Sequence, residues 1–477
     1  MTASLQPTAA IKRLLPWLVA VAFFMESLDT TILNTAVPTI AAAMHVVPLS
    51  MKSALTSYTL SLAIFIPISG WMADRFGTRR VFSSAIGLFT VGSLLCGISS
   101  DLHFLVAARI LQGCGGAMMV PVGRLTLVRT FARSELIRAI AFVSIPGLIG
   151  PLLGPLAGGL IVGYFHWRFI FFLNLPIGIA GLYLVYRHLP DYRTDHTVPL
   201  DFIGLVLFGS GIGLLSYVLE VFGEHTLSLA EIIWLLVVAL ALLAAWWRYT
   251  ISAPYPLLRL NLFRIRTYWV PTVGGFITRL GIGGMPFLLP LLYQVGLGYT
   301  PIQSGLLIMP QPLAAMSLKM TMPWLLARFG YRRMLLINTV ILGLIIILFS
   351  TVGLNTPAWI IVAQAFCFGF FSSLQYTSMN TLVFADITDQ ETSMGSTIMS
   401  TVQQLSISFG IATASLTTAL FIHDRYSSSA PAMVSGIHKA FVTLGLLTIV
   451  STAIFRYLKP NDGANVSQQK AVDQPAT

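Results

Sequence analysis

Charged residues are scarce: Asp, Glu, Lys and Arg make up 9% of the 477 residues, against roughly a quarter in an ordinary soluble domain. A water-facing surface cannot be assembled from so little charge. Cysteine is scarcer still. Cys96, Cys114 and Cys367 fall inside apolar runs, without metal-ligand or disulfide spacing, so a disulfide framework is excluded and they read as small core-filling residues. Also missing are a metal-spaced histidine pair, a glycine-rich phosphate loop and a convincing Ser–His–Asp set, which leaves an intramembrane enzyme without candidate residues. His103, His166, His225 and His438 are scattered near expected outer helix ends, so no metal site is expected.

What fills the chain is apolar: 56% of residues are hydrophobic and the mean hydropathy is +0.82. A membrane-crossing helix needs about 20 such residues, so about fourteen crossings use most of the length and leave no room for a sizeable soluble domain. The expected fold class is an all-α integral membrane protein. Its apolar segments lie near 14–36, 53–71, 81–99, 104–127, 137–162 and 168–188, then 202–221 and 229–248, then 268–291, 302–324, 334–353, 357–380, 394–421 and 436–456. This pattern predicts a six-helix bundle over 1–190, two additional linker helices over 191–260 beside the bundle, a second six-helix bundle over 261–458, and a disordered cytoplasmic tail over 459–477. Lys12 and Arg13 precede the first run as in a secretory signal, but the run is long and contains Glu26 and Asp29, so an uncleaved helix is expected.

The formal charge of +11 raises the question of a nucleic-acid partner. Its cations, however, lie mainly in the short segments between apolar runs, and alternate segments hold nearly all of them: Lys12/Arg13, Arg75/Arg79/Arg80, Arg129/Arg133/Arg138, Arg187/Arg193, Arg248 to Arg266, Arg328/Arg332/Arg333 and Arg456/Lys459. The charge is a topology signal, placing both termini in the cytoplasm. The loop with Asp386, Asp389 and Glu391 lacks basic residues and is the weakest point of this topology.

An internal echo points to two related halves. Asp74-Arg-Phe-Gly-Thr-Arg-Arg80 follows the second helix of the first unit and Ala327-Arg-Phe-Gly-Tyr-Arg-Arg333 the second helix of the last unit. Gly70-Trp-Met-Ala-Asp-Arg-Phe-Gly-Thr-Arg-Arg80 resembles the loop 2–3 motif of the major facilitator superfamily. Leu28-Asp-Thr-Thr-Ile-Leu-Asn-Thr-Ala-Val-Pro38, Arg109-Ile-Leu-Gln-Gly113, Gly147-Leu-Ile-Gly-Pro-Leu-Leu-Gly-Pro-Leu-Ala-Gly-Gly159 and Trp167-Arg-Phe-Ile-Phe-Phe-Leu-Asn-Leu-Pro-Ile-Gly178 are similar to signatures of its fourteen-helix drug:proton antiporters. The third of these is the antiporter motif. Across the whole chain, including Met118-Met-Val-Pro-Val-Gly-Arg124, the resemblance is to the MdtD group of multidrug exporters, with Glu26 as a departure where an uncharged polar residue is expected. The resemblance implies a monomeric multi-pass protein of a bacterial inner membrane, working on small molecules and protons without cofactor or nucleic acid and driven by the proton gradient. The alternatives are a dedicated exporter of one endogenous metabolite, an acid or a siderophore, or a sensor built on a transporter fold.

The residues carry their own argument. Glu26 and Asp29 sit three apart inside an apolar segment and, with Thr30 and Asn34, span a polar arc of roughly 140°, which should face a cavity. Carboxylates in a poorly hydrated pocket are suited to proton coupling. An alternative is that Asp29 merely pairs with Arg109, an intramembrane guanidinium that needs a partner. Gln112 follows on the same face as Arg109 and reads as a substrate-cavity residue. Gly147, Gly150, Pro151, Gly154, Pro155 and Gly158 form a stripe expected to let the fifth helix rock against the other half, with tight packing as the plain alternative. The loop motif residues Gly70, Asp74, Arg75, Gly77, Arg79 and Arg80 are expected to clamp neighbouring helix ends, although topology alone also accounts for the arginines. In the second half Arg279 and Lys319 read as cavity cations. Gln294, Gln311, Gln375, Tyr376 and Asn380 read as polar cavity candidates, and Tyr58, Met118 and Met119 as adaptable apolar contacts. Acids on one side and cations on the other leave the charge of the substrate open.

Overall fold

A computed structural model describes residues 9–194, 199–222, 227–388, 391–422 and 430–467. Helices occupy every apolar run. The first half comprises α1 (Ala9–Ala43), α2 (Lys52–Phe76), α3 (Thr78–Ile98), α4 (Leu102–Thr130), α5 (Arg133–Tyr164), the single turn α6 (Phe169–Phe172) and α7 (Asn174–His188). Next come α8 (Phe202–Phe222) and α9 (Leu229–Ser252). The second half comprises α10 (Arg266–Ile282), α11 (Met285–Leu291), α12 (Pro301–Ile308), α13 (Pro310–Leu348), α14 (Ala358–Leu382), α15 (Thr392–Leu420) and α16 (Ala430–Val450), followed by the short α17 (Thr452–Phe455) and α18 (Ala464–Ser467). Among the described residues, eleven helical segments are long and apolar enough to cross a membrane by length and composition. Large aromatic residues such as Trp234, Trp359 and Tyr186 stand exposed, as suits lipid and its interface.

Helices of the first half pack mainly on one another, α1 on α5 and α4 on α2 and α3; in the second half α13 packs on α14 and α16, and α10 on α15 and α16. Seams between the halves run along α2 with α15 and α5 with α12. The additional pair sits beside the bundle: α8 lies against α2 and α15, and α9 packs on α8. Lys52, buried at the start of α2, donates from Nζ to the Glu220 carbonyl at 2.9 Å and ties α8 to the first half.

The repeated motif produces the same backbone twice. Gly77, between α2 and α3, has φ 93° and ψ 143°, and Gly330, which breaks α13, has φ 66° and ψ 164°. Both values lie where side-chain-bearing residues are strained, so each arginine-rich turn requires glycine at this position. Their surroundings differ. Around Gly77 the segment 190–194 folds over the turn: the Thr78 amide donates to the Tyr192 carbonyl at 3.1 Å and the Arg79 amide to Asp191 Oδ1 at 3.2 Å. Asp74 accepts hydrogen bonds from Arg129 at the end of α4 and from Thr194. The second copy has Ala327 in the place of Asp74.

The expectation of disorder from residue 459 is corrected over its first nine residues. Arg266 forms a two-point ion pair with Asp462 at 2.7 and 2.8 Å, Asn465 donates to the Ala385 carbonyl at 2.7 Å, and Gly463 is pressed against Tyr331. Polar composition conceals this, because the docking uses an ion pair and a backbone contact instead of an apolar face. Residues 468–477 lie outside the described residues. In the acidic loop, Asp386 accepts from Thr267 at 2.7 Å, and Asp389 is not among the described residues.

Candidate functional site

On α1 the hydroxyls of Thr30 and Thr31 donate back to the carbonyls of Glu26 and Ser27 at 2.8 and 2.9 Å, and the Asn34 amide reaches the Thr30 carbonyl at 3.4 Å. These groups are satisfied within the helix, which leaves the two carboxylates to find partners elsewhere. Asp29 finds three. Its Oδ2 accepts from Arg109 Nη1 at 2.6 Å, and its Oδ1 from Gln112 Nε2 at 2.8 Å and Asn174 Nδ2 at 3.2 Å. Residue exposures of 1% for Asp29 and Arg109, 0% for Gln112 and 2% for Asn174 put the whole cluster out of reach of solvent.

The cluster extends through α2 and α3. Arg109 Nη1 also donates to Gln112 Oε1 at 2.7 Å and Nε to the Ala54 carbonyl at 3.3 Å, while the guanidinium stacks 4.1 Å from the centre of the Tyr58 ring. Gln112 Nε2 and Asn174 Nδ2 both donate to Ser93 Oγ, and the Cys96 thiol lies 3.6 Å from Gln112 Oε1. A buried ion pair is tolerated when its remaining donors and acceptors are occupied, and this network occupies both Asp29 oxygens and the Nε and Nη1 donors of Arg109. Sequence reasoning does not single out Asn174, Ser93 or Cys96 for this site. Asn174 belongs to the Trp167–Gly178 motif, but an uncharged amide carries no signal comparable to an acid in an apolar run.

Glu26, one turn below Asp29, has no side-chain hydrogen bond or ion pair among the described residues. It lines a cavity of about 350 Å³ between the halves, with Arg124, Asn380, Gln403 and Gln404. Glu26 and Asp29 are therefore divided between two environments: Asp29 turns into its own half and Glu26 faces the opening. A second cavity, of about 330 Å³, is lined by Thr31, Asn34, Pro151, Pro155, Gln311 and Tyr376 among others, so α1 and α5 of one half face α13 and α14 of the other.

Arg279 is 2% exposed, donates from Nη2 to Asn380 Oδ1 at 3.1 Å and lies 5.1 Å from the Tyr376 ring centre, so it stands behind two residues that line the cavities. Gln294 does not line either cavity; it donates to the Thr35 carbonyl at 2.8 Å and ties the halves together. Tyr58, Met118 and Met119 are buried in the first half: the Tyr58 ring is covered by the Arg109 guanidinium and the two methionines of α4 fill the core of that half, which takes up the surface expected to meet a substrate. Gln112, expected in the substrate cavity, is instead fully buried against Asp29 and Arg109, and Gln375 is likewise buried, bonded to Asn338 and Thr339 inside the second half. The side chain of Lys319 lies outside the described residues. Among the described residues Arg75, Arg79 and Arg80 make no ion pair, so Asp74 alone forms the clamp, with Arg129 and Thr194 of its own half.

The glycine stripe requires a correction. Gly150, Gly154 and Gly158 lie against Ser27, Thr31 and Ile32 of α1, in the same half, and a Cβ at Gly147 would meet nothing. Contact with the other half is made by the adjacent face of α5: a Cβ on Gly159 would stand 2.5 Å from the Pro301 carbonyl oxygen, and one on Gly305 of α12 would clash with the Pro155 carbonyl oxygen. Each helix thus offers a notch to the other's backbone. Ser408 and Ser415 of α15 donate to the carbonyls of Thr56 and Leu49, closing the same end of the molecule. The Glu26 cavity lies toward the opposite end, where the arginine-rich turns are.

Two helical halves that meet at one end and enclose cavities between them, with a buried acid–arginine cluster beside them, define a membrane carrier. Residues 19–411 match the family model for the Major Facilitator Superfamily, and the chain belongs to that family. It is 41% identical over 426 residues to a Serratia proteamaculans protein named for multidrug resistance, MdtD, covering 89% of this chain and 88% of that one. To the protein of the same name in Yersinia enterocolitica it is 37% identical over 457 residues, covering 95% and 97%. Among solved structures it is similar to a bacterial homologue of the human lysosomal transporter Spinster in an inward-facing, unoccupied conformation, with a TM-score of 0.66, 13% identity and coverage of 98% and 100%. A POT family transporter bound to 5-aminolevulinic acid gives a TM-score of 0.65 at 17% identity, with 93% and 95% covered. These two likenesses concern the fold.

Proposed function

We propose that this chain is a proton-coupled antiporter that exports small molecules, of the multidrug kind, by alternating access. One observation carries the reading: a fully buried acid, Asp29, is held by Arg109, while a second acid one helical turn away, Glu26, faces the cavity between the halves without a side-chain partner among the described residues. A proton taken up at the cavity and passed to Asp29 removes the charge that holds Arg109, and the guanidinium must then seek the Gln112, Ala54 and Tyr58 groups already around it. That change in a packed network biases the balance between two arrangements of the halves. The cavity on α1, α5, α13 and α14 is apolar with a few polar groups, which suits lipophilic compounds of varied shape. The names of the relatives favour this breadth over a carrier of one metabolite.

In this reading the arginine-rich turns and both termini face the cytoplasm of a bacterial cell, the protein sits in the inner membrane as a monomer, and the closed end faces outward. The proton gradient alone supplies the energy. The test is substrate-evoked proton release in everted vesicles across cationic, neutral and anionic compounds. Release that disappears in Asp29→Asn supports antiport; transport of the same compounds without proton movement overturns it.

A further inference from the structure

A third cavity has no part in this mechanism. It is a groove of about 580 Å³ between the first turns of α1 and α5, at the arginine-rich end, lined by Lys12, Arg13, Trp17, Glu135, Arg138 and Phe142 among others. Positions 12, 13 and 17 of α1 and 135, 138 and 142 of α5 recur at helical spacing, so two amphipathic faces converge on it. The groove is layered. Trp17, 59% exposed, meets Phe142 edge-to-face at 4.8 Å on the membrane side, and the cations stand above them. Lys12 Nζ binds Glu135 at 2.7 Å, which holds the Glu135 carboxyl below its ordinary range and cancels both charges. Arg13 and Arg138 are exposed and make no ion pair among the described residues, so the groove keeps two free guanidinium groups.

We propose that this groove binds one anionic phospholipid, its phosphate held by Arg13 and Arg138 and its upper chain segments against Trp17 and Phe142. A guanidinium recognises phosphate by paired N–H donors, and aromatic rings at the headgroup level fit the glycerol region of a lipid. A soluble anion would use the arginines and leave the aromatic floor uncovered, whereas a zwitterionic lipid would bring a cation against Arg13 and Arg138. The bound lipid bridges the ends of α1 and α5, the two helices that carry Asp29 and the Gly159 notch, so it stiffens the half that holds the buried acid. The site does not depend on which substrate is carried or on proton coupling.

The test is native mass spectrometry of the purified full-length protein, counting retained phosphatidylglycerol against phosphatidylcholine, with inorganic phosphate as a competitor. The expected result is one retained phosphatidylglycerol, lost progressively as salt is raised, and bound roughly thirtyfold more weakly in Arg13→Gln/Arg138→Gln. Arg187→Gln/Arg248→Gln, which removes two exposed cations from the same end, should leave it bound. Equal retention of phosphatidylcholine, displacement by inorganic phosphate, or equal loss in both double variants overturns the proposal. The salt series on the unaltered protein decides it even if the first variant fails to fold.

Discussion

Asp29 and Arg109, eighty positions apart in the chain, stand 2.6 Å apart in a cluster with no solvent contact. The pair joins α1 to α4 with both charges fully withdrawn from water. Its geometry sets the first prediction. Removing one partner should cost more than removing both, because the penalty is the isolated charge. Asp29→Asn is expected to lower stability by about 3 kcal/mol in the membrane-mimetic state, and Asp29→Asn/Arg109→Gln to recover much of that loss while transport stays at background. Thermal melts of the single and double variants check this. Additive losses would show that the two side chains act independently.

Glu26 has no side-chain hydrogen bond to lose among the described residues, so Glu26→Gln should change stability by no more than about 0.5 kcal/mol. Its effect belongs in coupling: the number of protons released per substrate should fall while the protein folds and reaches the membrane normally. A counter-transport assay at fixed pH gradient measures the ratio. An unchanged ratio assigns Glu26 to the cavity wall only.

The notches at Gly159 and Gly305 make the closed end sensitive to a single methyl group. Gly159→Ala and Gly305→Ala each place a Cβ near 2.5 Å from a carbonyl oxygen of the facing helix, which overpacking makes unfavourable by about 1–3 kcal/mol. The balance should move roughly ten- to a hundredfold toward the arrangement in which these helices separate. In a background lacking Cys96, Cys114 and Cys367, the thiol of a Thr35→Cys variant should then react faster with an impermeant reagent. Gly147→Ala, which meets nothing, is the control and should leave labelling unchanged.

The docking of residues 459–467 depends on charge. Burial raises the Asp462 carboxyl, but the Arg266 hydrogen bonds outweigh it and hold the group below its ordinary value of 3.8. A lowered carboxyl stabilises the docked form above its ordinary value and loses that contribution as pH falls through the lowered one. Docking should therefore be constant across the neutral range and weaken only in strong acid. Asp462→Asn should release the segment at neutral pH, read as a several-fold rise in amide exchange over 459–467, on the scale of one charged hydrogen bond.

Charges inside apolar runs make Glu26, Asp29 and Arg109 stand out in the sequence, because such groups have no inexpensive place in lipid. Hydropathy orders the helices, and the Arg-Phe-Gly repeat reveals the two-half plan. The partners of the charged residues are far less visible. Ser93 and Asn174 are unremarkable in α3 and α7, and only the fold aims them at one carboxylate. The glycine motif is plain in the sequence, but its direction is not: positions 150, 154 and 158 share one helix face with 147, and spacing cannot say which neighbour that face meets. Gly159, one residue further on, lies on the face that crosses to the other half. Tyr58 and Met118 show the same limit, since a residue suited to touching a ligand is equally suited to packing.

Gly77 and Gly330 adopt the same rare turn, yet only the first has Asp74 beside it to grip Arg129 and Thr194. The two halves therefore share a turn but not its fastening: in the first, one carboxylate ties the turn to the end of α4, so its removal loosens that half and leaves the other unchanged.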